Sequence, residues 1–167
     1  MDYDLIIIGS GPGGYVAAIR ASQLKMKVAV VEKAEIGGIC LNWGCIPTKS
    51  LLKSSQVFDY INHASEYGIK IEGEIKPDFK AIIARSRGVA EGMSKGVQFL
   101  FKKNNIELIT GFAEIGKNNS VEVTDKEGQK KIYTATNLIL ATGARSKELL
   151  NLKQDGKKII GYREAMT

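Results

Sequence analysis

The run Tyr3-Asp4-Leu5-Ile6-Ile7-Ile8, followed without a break by Gly9-Ser10-Gly11-Pro12-Gly13-Gly14, constrains this chain more than any other stretch. Residues 3–8 are apolar and largely β-branched, the composition of a strand buried on both faces. The glycines end that strand abruptly. Residues 15–24 then carry small and apolar side chains at helical spacing. Val28-Ala29-Val30-Val31 reads as a second buried strand, ending at Glu32. Strand, glycine turn, helix and strand in that order make a βαβ unit, which sets its two strands parallel. The fold class that follows is α/β, with a parallel central sheet covered by helices.

The remainder extends this plan. Residues 46–67 read as a helix with Pro47 in its first turn, where a missing N–H is tolerated. Pro77 and Asp78 are start signals for a long helix over 79–103. Short alternating runs at 107–110, 120–124 and 131–134 are divided by Lys117-Asn118-Asn119 and Asp125-Lys126-Glu127-Gly128. They predict a small antiparallel β-meander. Residues 137–141 read as a third buried strand that ends in Thr142-Gly143-Ala144, and from Ser146 onward the chain is polar, like a linker.

Composition narrows the functional classes. At 167 residues and 44% hydrophobic, the chain can bury a core without disulfides. The first apolar run is short and is preceded by Asp2 and Asp4, unlike a signal peptide, and no run reaches the length of a membrane span. The net charge is +6, but the basic residues are scattered and not interleaved with the few aromatics, so no nucleic-acid surface is expected.

The spacing Gly9-x-Gly11-x-x-Gly14 gives each glycine a task. Gly9 makes the tight turn, Gly11 admits a pyrophosphate close to the backbone, and Gly14 seats the helix on the strand. The helix N-terminus offers amides and a positive dipole end to phosphate. Glu32, at the end of the second strand, is placed to accept hydrogen bonds from ribose hydroxyls, and its charge would repel a phosphorylated ribose. A dinucleotide site follows; the motif does not choose between FAD and NAD.

The only two cysteines, Cys40 and Cys45, lie in the segment GGICLNWGCIPTKS at 37–50. Four readings compete: a structural disulfide, part of a metal site, two unrelated thiols, or a redox couple. A zinc site needs about four ligands, and the single histidine, His63, stands well downstream among polar residues. Unrelated thiols would not need the surrounding glycines and proline. A redox couple needs sulfurs that can meet and a thiol whose pKa is lowered. On one continuous helix the two positions would face different ways. Cys40 is therefore expected in the loop after Gly38, and Cys45 at the start of the next helix, where the N-terminus would favour a thiolate.

Together with Leu41-Asn42, Gly44-Cys45-Ile46-Pro47 and Lys49-Ser50-Leu51-Leu52, this segment resembles the flavin-dependent pyridine nucleotide-disulfide oxidoreductases, nearest to the branch that oxidises dihydrolipoyl groups. Trp43 replaces a valine common in many members. Gly111-Phe112-Ala113 and Ala141-Thr142-Gly143 are similar to two further segments of the family. The resemblance implies a Rossmann-like FAD-binding domain over 1–145 and a linker over 146–167 leading toward an NAD-binding domain.

Residue roles are implied in the same way. Gly9, Gly11, Pro12, Gly13 and Gly14 would hold the FAD pyrophosphate, and Glu32 its adenosine ribose. The segment through Lys33, Gly38, Ile39 and Cys40 would wrap the dinucleotide. Ala113 would meet the adenine, and Thr142 and Gly143 would pass close to the cofactor. Cys45 would face the flavin, Cys40 would exchange with substrate, and Lys49 would tune the flavin. The implied activity is oxidation of a protein-bound dihydrolipoyl group, with electrons passing to FAD and then NAD. The implied partners are lipoyl domains of 2-oxoacid dehydrogenase or related complexes, with a homodimer for the full-length enzyme and a cytoplasmic setting. No metal is expected. Neither a second glycine fingerprint nor the family's histidine–glutamate base occurs in these residues. They are expected to be the flavin-binding portion of the enzyme and inactive alone. A glutathione or mercuric reductase type, or a non-catalytic dinucleotide-binding module, is the alternative.

Overall fold

The computed structural model describes residues 1–167. Six strands are arranged in the order β3-β2-β1-β6-β5-β4. One half is parallel: β1 (Tyr3–Ile8) lies between β2 (Val28–Glu32) and the second half of β6 (Lys130–Leu140). β3 (Glu107–Thr110) adds to the far side of β2, also parallel. The other half is an antiparallel meander of β4 (Phe112–Ile115), β5 (Ser120–Thr124) and the first half of β6.

Two strand expectations are corrected. Residues 107–110 do not belong to the meander. They extend the parallel sheet, with Glu107 opposite Ala29 and Thr110 opposite Glu32. Gly111, at φ +156°, then redirects the chain into β4; a Cβ there would lie 2.6 Å from the Thr124 carbonyl oxygen. The runs 131–134 and 137–141 are not separate strands either. No turn residue divides them, and Ala135, fully buried, carries one strand from antiparallel pairing with β5 to parallel pairing with β1.

The alternation of β1 explains why the sheet is covered on both sides. Leu5 and Ile7 face a layer of helices, with Ala18 and Ala21 of α1 (Pro12–Gln23) and Val97 and Phe101 of α4 (Phe79–Lys103). Ile6 and Ile8 face the other way, against Val121 and Val123 of the meander. Each fully buried aliphatic side chain here contributes about 1.5–3 kcal/mol. α4 matches its predicted span, and Asp78 caps it by accepting from the Ala81 N–H at 3.0 Å.

The segment between β2 and α4 holds α2 (Gly38–Asn42), α3 (Cys45–Asn62) and a 3-10 turn at Ala64–Tyr67. The helix expected over 46–67 thus stops at Asn62. Cys40, expected in a loop, sits in α2, a single helical turn separated from α3 by Trp43 and Gly44. The last residues are mostly exposed and end in α5 (Tyr162–Ala165), which returns to α2: the Arg163 guanidinium lies 4.0 Å from the Trp43 ring centre, and Arg87 of α4 donates to the Met166 carbonyl at 2.8 Å. No helix is long and apolar enough to cross a membrane.

Candidate functional site

The carboxyl ends of β1, β2 and β6 open into a cavity of about 440 Å³, the position at which parallel α/β sheets bind ligands. Backbone sterics build its floor. Gly9 stands at φ +101°, and a Cβ there would lie 2.3 Å from the Ala141 carbonyl oxygen. A Cβ on Gly14 would lie 1.9 Å from the Gly9 carbonyl oxygen. Gly9 therefore lets the turn pass β6, and Gly14 lets α1 sit on the turn. Gly11 differs: its nearest neighbour would be Gly38 Cα at 4.0 Å, so its bare face is open. Gly38, at φ +62°, could carry no side chain either, since its Cβ would meet Gly11 Cα at 2.8 Å. The two segments cross here backbone to backbone. α1 starts at this crossing with no acidic residue in its first turn, leaving the Gly13 N–H and the positive end of the helix dipole at the cavity, while the Gly14 and Tyr15 N–H groups donate to the Gly11 carbonyl.

Glu32 has a task that its position alone did not reveal. One carboxylate oxygen accepts from the Ser10 N–H at 2.9 Å and the Ser10 hydroxyl at 2.6 Å, and the other from the Ala34 N–H at 2.9 Å. Ser10 is fully buried, and its hydroxyl also accepts from the Gly37 N–H at 3.2 Å. The carboxylate thus clips the glycine turn to the segment leading to α2. It still lines the cavity and retains acceptor capacity toward it.

The two cysteines are free thiols in contact. Cys40 is partly buried and lines the cavity; Cys45 is exposed. A hydrogen bond from the Cys40 thiol to Cys45, with burial behind it, holds Cys40 above the usual thiol pKa. The Cys45 backbone N–H and the Lys49 charge act the other way. The first amide of α3 is directed at the sulfur of Cys40.

Side chains from α4 hold α2 in place. The Asn42 amide donates to the carbonyls of Ile36 at 2.9 Å and Gly38 at 3.0 Å. The Ser94 hydroxyl lies 2.8 Å from Ile36 O and 3.0 Å from Asn42 Oδ1. Arg87 donates to the Asn42 carbonyl as well as to that of Met166.

Among the sequence-predicted residues, Gly9, Gly11, Pro12, Gly13, Glu32, Lys33, Gly38, Ile39, Cys40, Ala113, Thr142 and Gly143 line the one cavity. Gly14, Cys45 and Lys49 do not. Gly14 is packed beneath the turn, Cys45 touches the site through Cys40, and Lys49 acts on it through its charge. His63 is exposed and bonded to the Asp59 carbonyl on its own helix. Sequence reading missed Phe112, Arg145, Trp43 and Arg163 in the lining, and Ser10, Asn42, Arg87 and Ser94 behind it. A hydroxyl at the variable position after Gly9 is a weak signal for Ser10; nothing in α4 marks Arg87 or Ser94. A helix N-terminus beside an open glycine, a carboxylate with acceptor capacity toward the cavity and a thiol pair at its wall fit a redox dinucleotide.

Comparison with known proteins agrees with this geometry. Residues 3–166 match the family described as pyridine nucleotide-disulphide oxidoreductase. The chain is 50% identical to a dihydrolipoyl dehydrogenase of Rhizobium etli, covering 98% of this chain and 37% of the relative. Identity to the corresponding Zymomonas mobilis protein is 51%, over 98% of this chain and 35% of the relative. A mitochondrial dihydrolipoyl dehydrogenase of Dictyostelium discoideum is 41% identical, with 98% and 34% covered. The chain thus spans little more than a third of the length of these relatives. Its fold matches that of LpdA from Mycobacterium tuberculosis with a TM-score of 0.86, covering 97% of this chain and 36% of that one, at 23% identity. With the glycine turn, the acidic strand end and the cysteine pair all inside the matched residues, the chain belongs to the pyridine nucleotide-disulphide oxidoreductase family.

Proposed function

We propose that these residues are the FAD-binding, disulfide-bearing portion of a dihydrolipoyl dehydrogenase. The observation that carries this reading is that Cys40, bonded to Cys45, lines the same cavity as the glycine turn. A sulfur couple beside a dinucleotide cradle serves electron transfer between thiols and a flavin. The names of the curated relatives favour a dihydrolipoyl substrate over glutathione or mercuric ion.

Gly9, Gly11, Pro12 and Gly13, at the N-terminus of α1, would hold the diphosphate, Gly14 seats α1 behind them, and Glu32 would hold the ribose. Lys33, Ala113, Gly38, Ile39, Thr142 and Gly143 enclose the rest. When bound, FAD supplies the two-electron carrier between the sulfurs and NAD. Cys40 is the exchanging sulfur. One thiolate of the dihydrolipoyl group attacks Cys40 of the disulfide; the Cys40–Cys45 bond breaks and Cys45 leaves as a thiolate. The second substrate thiol attacks the mixed disulfide, its proton passes to Cys40, and the substrate departs as a disulfide. The cysteine pair has gained the two electrons that the substrate lost. Lys49, whose charge already bears on Cys40, stabilises the thiolate form of the pair.

Residues 1–145 act as the binding domain, and 146–167 lead toward an NAD-binding domain. NAD binding, the acid–base pair and homodimer contacts would be supplied by the full-length enzyme. The partners are lipoyl domains of 2-oxoacid dehydrogenase or related complexes, and the setting is the cytoplasm. The test is the absorption spectrum of the purified chain reconstituted with FAD, before and after dithiothreitol. A long-wavelength charge-transfer band should appear on reduction and be absent in Cys45→Ser. FAD uptake with no such band in the wild-type chain would overturn the assignment of the sulfurs; preference for NAD over FAD would overturn that of the cradle.

A further inference from the structure

Arg163 and Trp43 are not explained by the glycine turn, the acidic strand end or the cysteine pair, yet both line the cavity. The Arg163 guanidinium lies over the single tryptophan of the chain, 4.0 Å from the ring centre, a distance at which the aromatic face attracts a cation and fixes a planar group. The backbone that carries it is held as well: Arg87 donates to Met166 O at 2.8 Å, and Thr48 Oγ donates to Met166 Sδ at 3.6 Å. The ion pairs of this chain join other residues, Lys76–Glu74, Lys95–Glu91, Lys130–Glu122 and His63–Asp59. The Arg163 charge is therefore not neutralised by a carboxylate. Its side chain makes one weak hydrogen bond, from Nε to the Tyr162 hydroxyl at 3.4 Å. Most donors of its fork remain free.

The cavity wall carries three cations, Lys33, Arg145 and Arg163, and two carboxylates, Glu32 and Glu35. Glu32 is engaged by Ser10 and Ala34. Lys33 lies 5.2 Å from the centre of the Phe112 ring. Arg163 is the cation fixed on the Trp43 face, and it shares the cavity wall with Gly11, Pro12 and Gly13 of the glycine turn.

We propose that Arg163, held over the Trp43 ring, is a further binding residue of this site that contacts the diphosphate of the dinucleotide. A forked guanidinium suits two phosphate oxygens, and stacking on Trp43 orders it before the ligand arrives. This inference rests on the dinucleotide reading of the cavity and adds to it a residue of the C-terminal segment. Trp43 then has a role in binding as the platform for that cation.

The test is equilibrium binding of FAD, ADP and adenosine to the full chain, followed by Trp43 emission and by calorimetry. Arg163→Gln should weaken ADP and FAD binding about tenfold, the scale of one charge-assisted hydrogen bond partly screened by water, and leave adenosine unchanged. Arg163→Lys, which keeps the charge but not the fork, should fall between. The difference between wild type and Arg163→Gln should shrink at high salt. Trp43→Leu, followed by calorimetry, should lose part of the same increment, and circular dichroism checks that each variant is folded. Equal ADP affinity in wild type and Arg163→Gln would overturn the role of Arg163 and leave the dinucleotide site standing. Failure of the wild-type chain to bind either FAD or ADP would overturn both.

Discussion

The glycine turn at 9–14 and the cysteine turn at 37–45 meet on the floor of one cavity, yet they are held by different physics. The first is set by what cannot fit: Cβ atoms on Gly9 and Gly14 would lie 2.3 and 1.9 Å from backbone oxygens. The second also excludes a Cβ at Gly38, where the two turns cross, but beyond that crossing it is held by what side chains reach: Asn42, Ser94 and Arg87 tie α2 to α4 through hydrogen bonds. Steric exclusion leaves one allowed residue at a position and is written locally. A hydrogen-bonded brace needs partners from a helix dozens of residues away. A rigid turn under the phosphates beside a braced but more open turn under the sulfurs is a sensible division. Phosphate binding needs a fixed backbone, whereas a cysteine pair must open and close.

The hardest way to break this comparison is to add one carbon to the glycine turn. Gly14→Ala or Gly9→Ala should cost about 3–5 kcal/mol, because the overlap is with backbone and cannot be relieved by a rotamer. Gly13→Ala, with Ala141 Cβ as its nearest neighbour at 4.0 Å, should stay within about 0.5 kcal/mol of wild type. Gly11→Ala should be equally stable but bind dinucleotide more weakly, since its open face looks into the cavity. Urea unfolding and ADP titration of the four variants check this; similar stability losses at Gly13 and Gly14 would contradict the steric account.

This difference also explains what was legible in advance. Gly9, Gly11, Gly14 and Glu32 were readable because their constraints act within one βαβ unit. The cysteine pair was readable as chemistry but not as geometry: α2 is a single turn whose helical form depends on Asn42 and α4, so Cys40 looked like a loop residue. Glu107-Leu108-Ile109-Thr110 carries the pattern of a half-exposed edge strand, which points to the meander, and β3 is such an edge strand, although of the parallel half. β6 was split because nothing in Thr134-Ala135-Thr136 announces that one strand will serve two kinds of pairing. Arg163 gave no signal, since its relation to Trp43 spans the whole chain.

Breaking the brace should cost less than breaking the turn. Asn42→Ala removes two donated bonds and one accepted bond from a residue only 7% exposed, and should lower stability by about 2–3 kcal/mol. Ser94→Ala should cost about 1 kcal/mol. In both variants, hydrogen exchange should accelerate over residues 36–45 and leave 9–14 protected. Equal loosening of the two turns would mean that they form one unit and that the distinction drawn above is wrong.

Cys45→Ala probes the cysteine turn without disturbing its brace. The bond to Cys45 is the largest cause of the raised Cys40 pKa, while the backbone amide and Lys49, which lower it, remain in the variant. The alkylation rate of Cys40 should therefore turn upward at lower pH in Cys45→Ala than in wild type, with little change in thermal stability. Lys49→Gln in the Cys45→Ala background should move the profile back up. An unchanged profile in Cys45→Ala would show that the thiols do not share a proton.

The smallest effect is expected at the outer edge of the cysteine turn, where the C-terminal segment packs on it. Asp155 accepts N–H groups of Ile159, Lys157 and Lys158, and these bonds hold its carboxyl below the usual carboxylate range. A depressed folded-state pKa contributes order above the unfolded value, and that contribution is lost as pH falls through the folded one. Protonation should therefore loosen the turn that leads to α5 and free Arg163 from Trp43. Because Asp155 is fully exposed, global stability should barely change. Trp43 emission should instead show a small acid transition with its midpoint below the usual carboxylate range, and Asp155→Asn should remove it. The same transition in both proteins would assign it to another carboxyl and would mean that the 155–159 turn does not govern how α5 meets the cysteine turn.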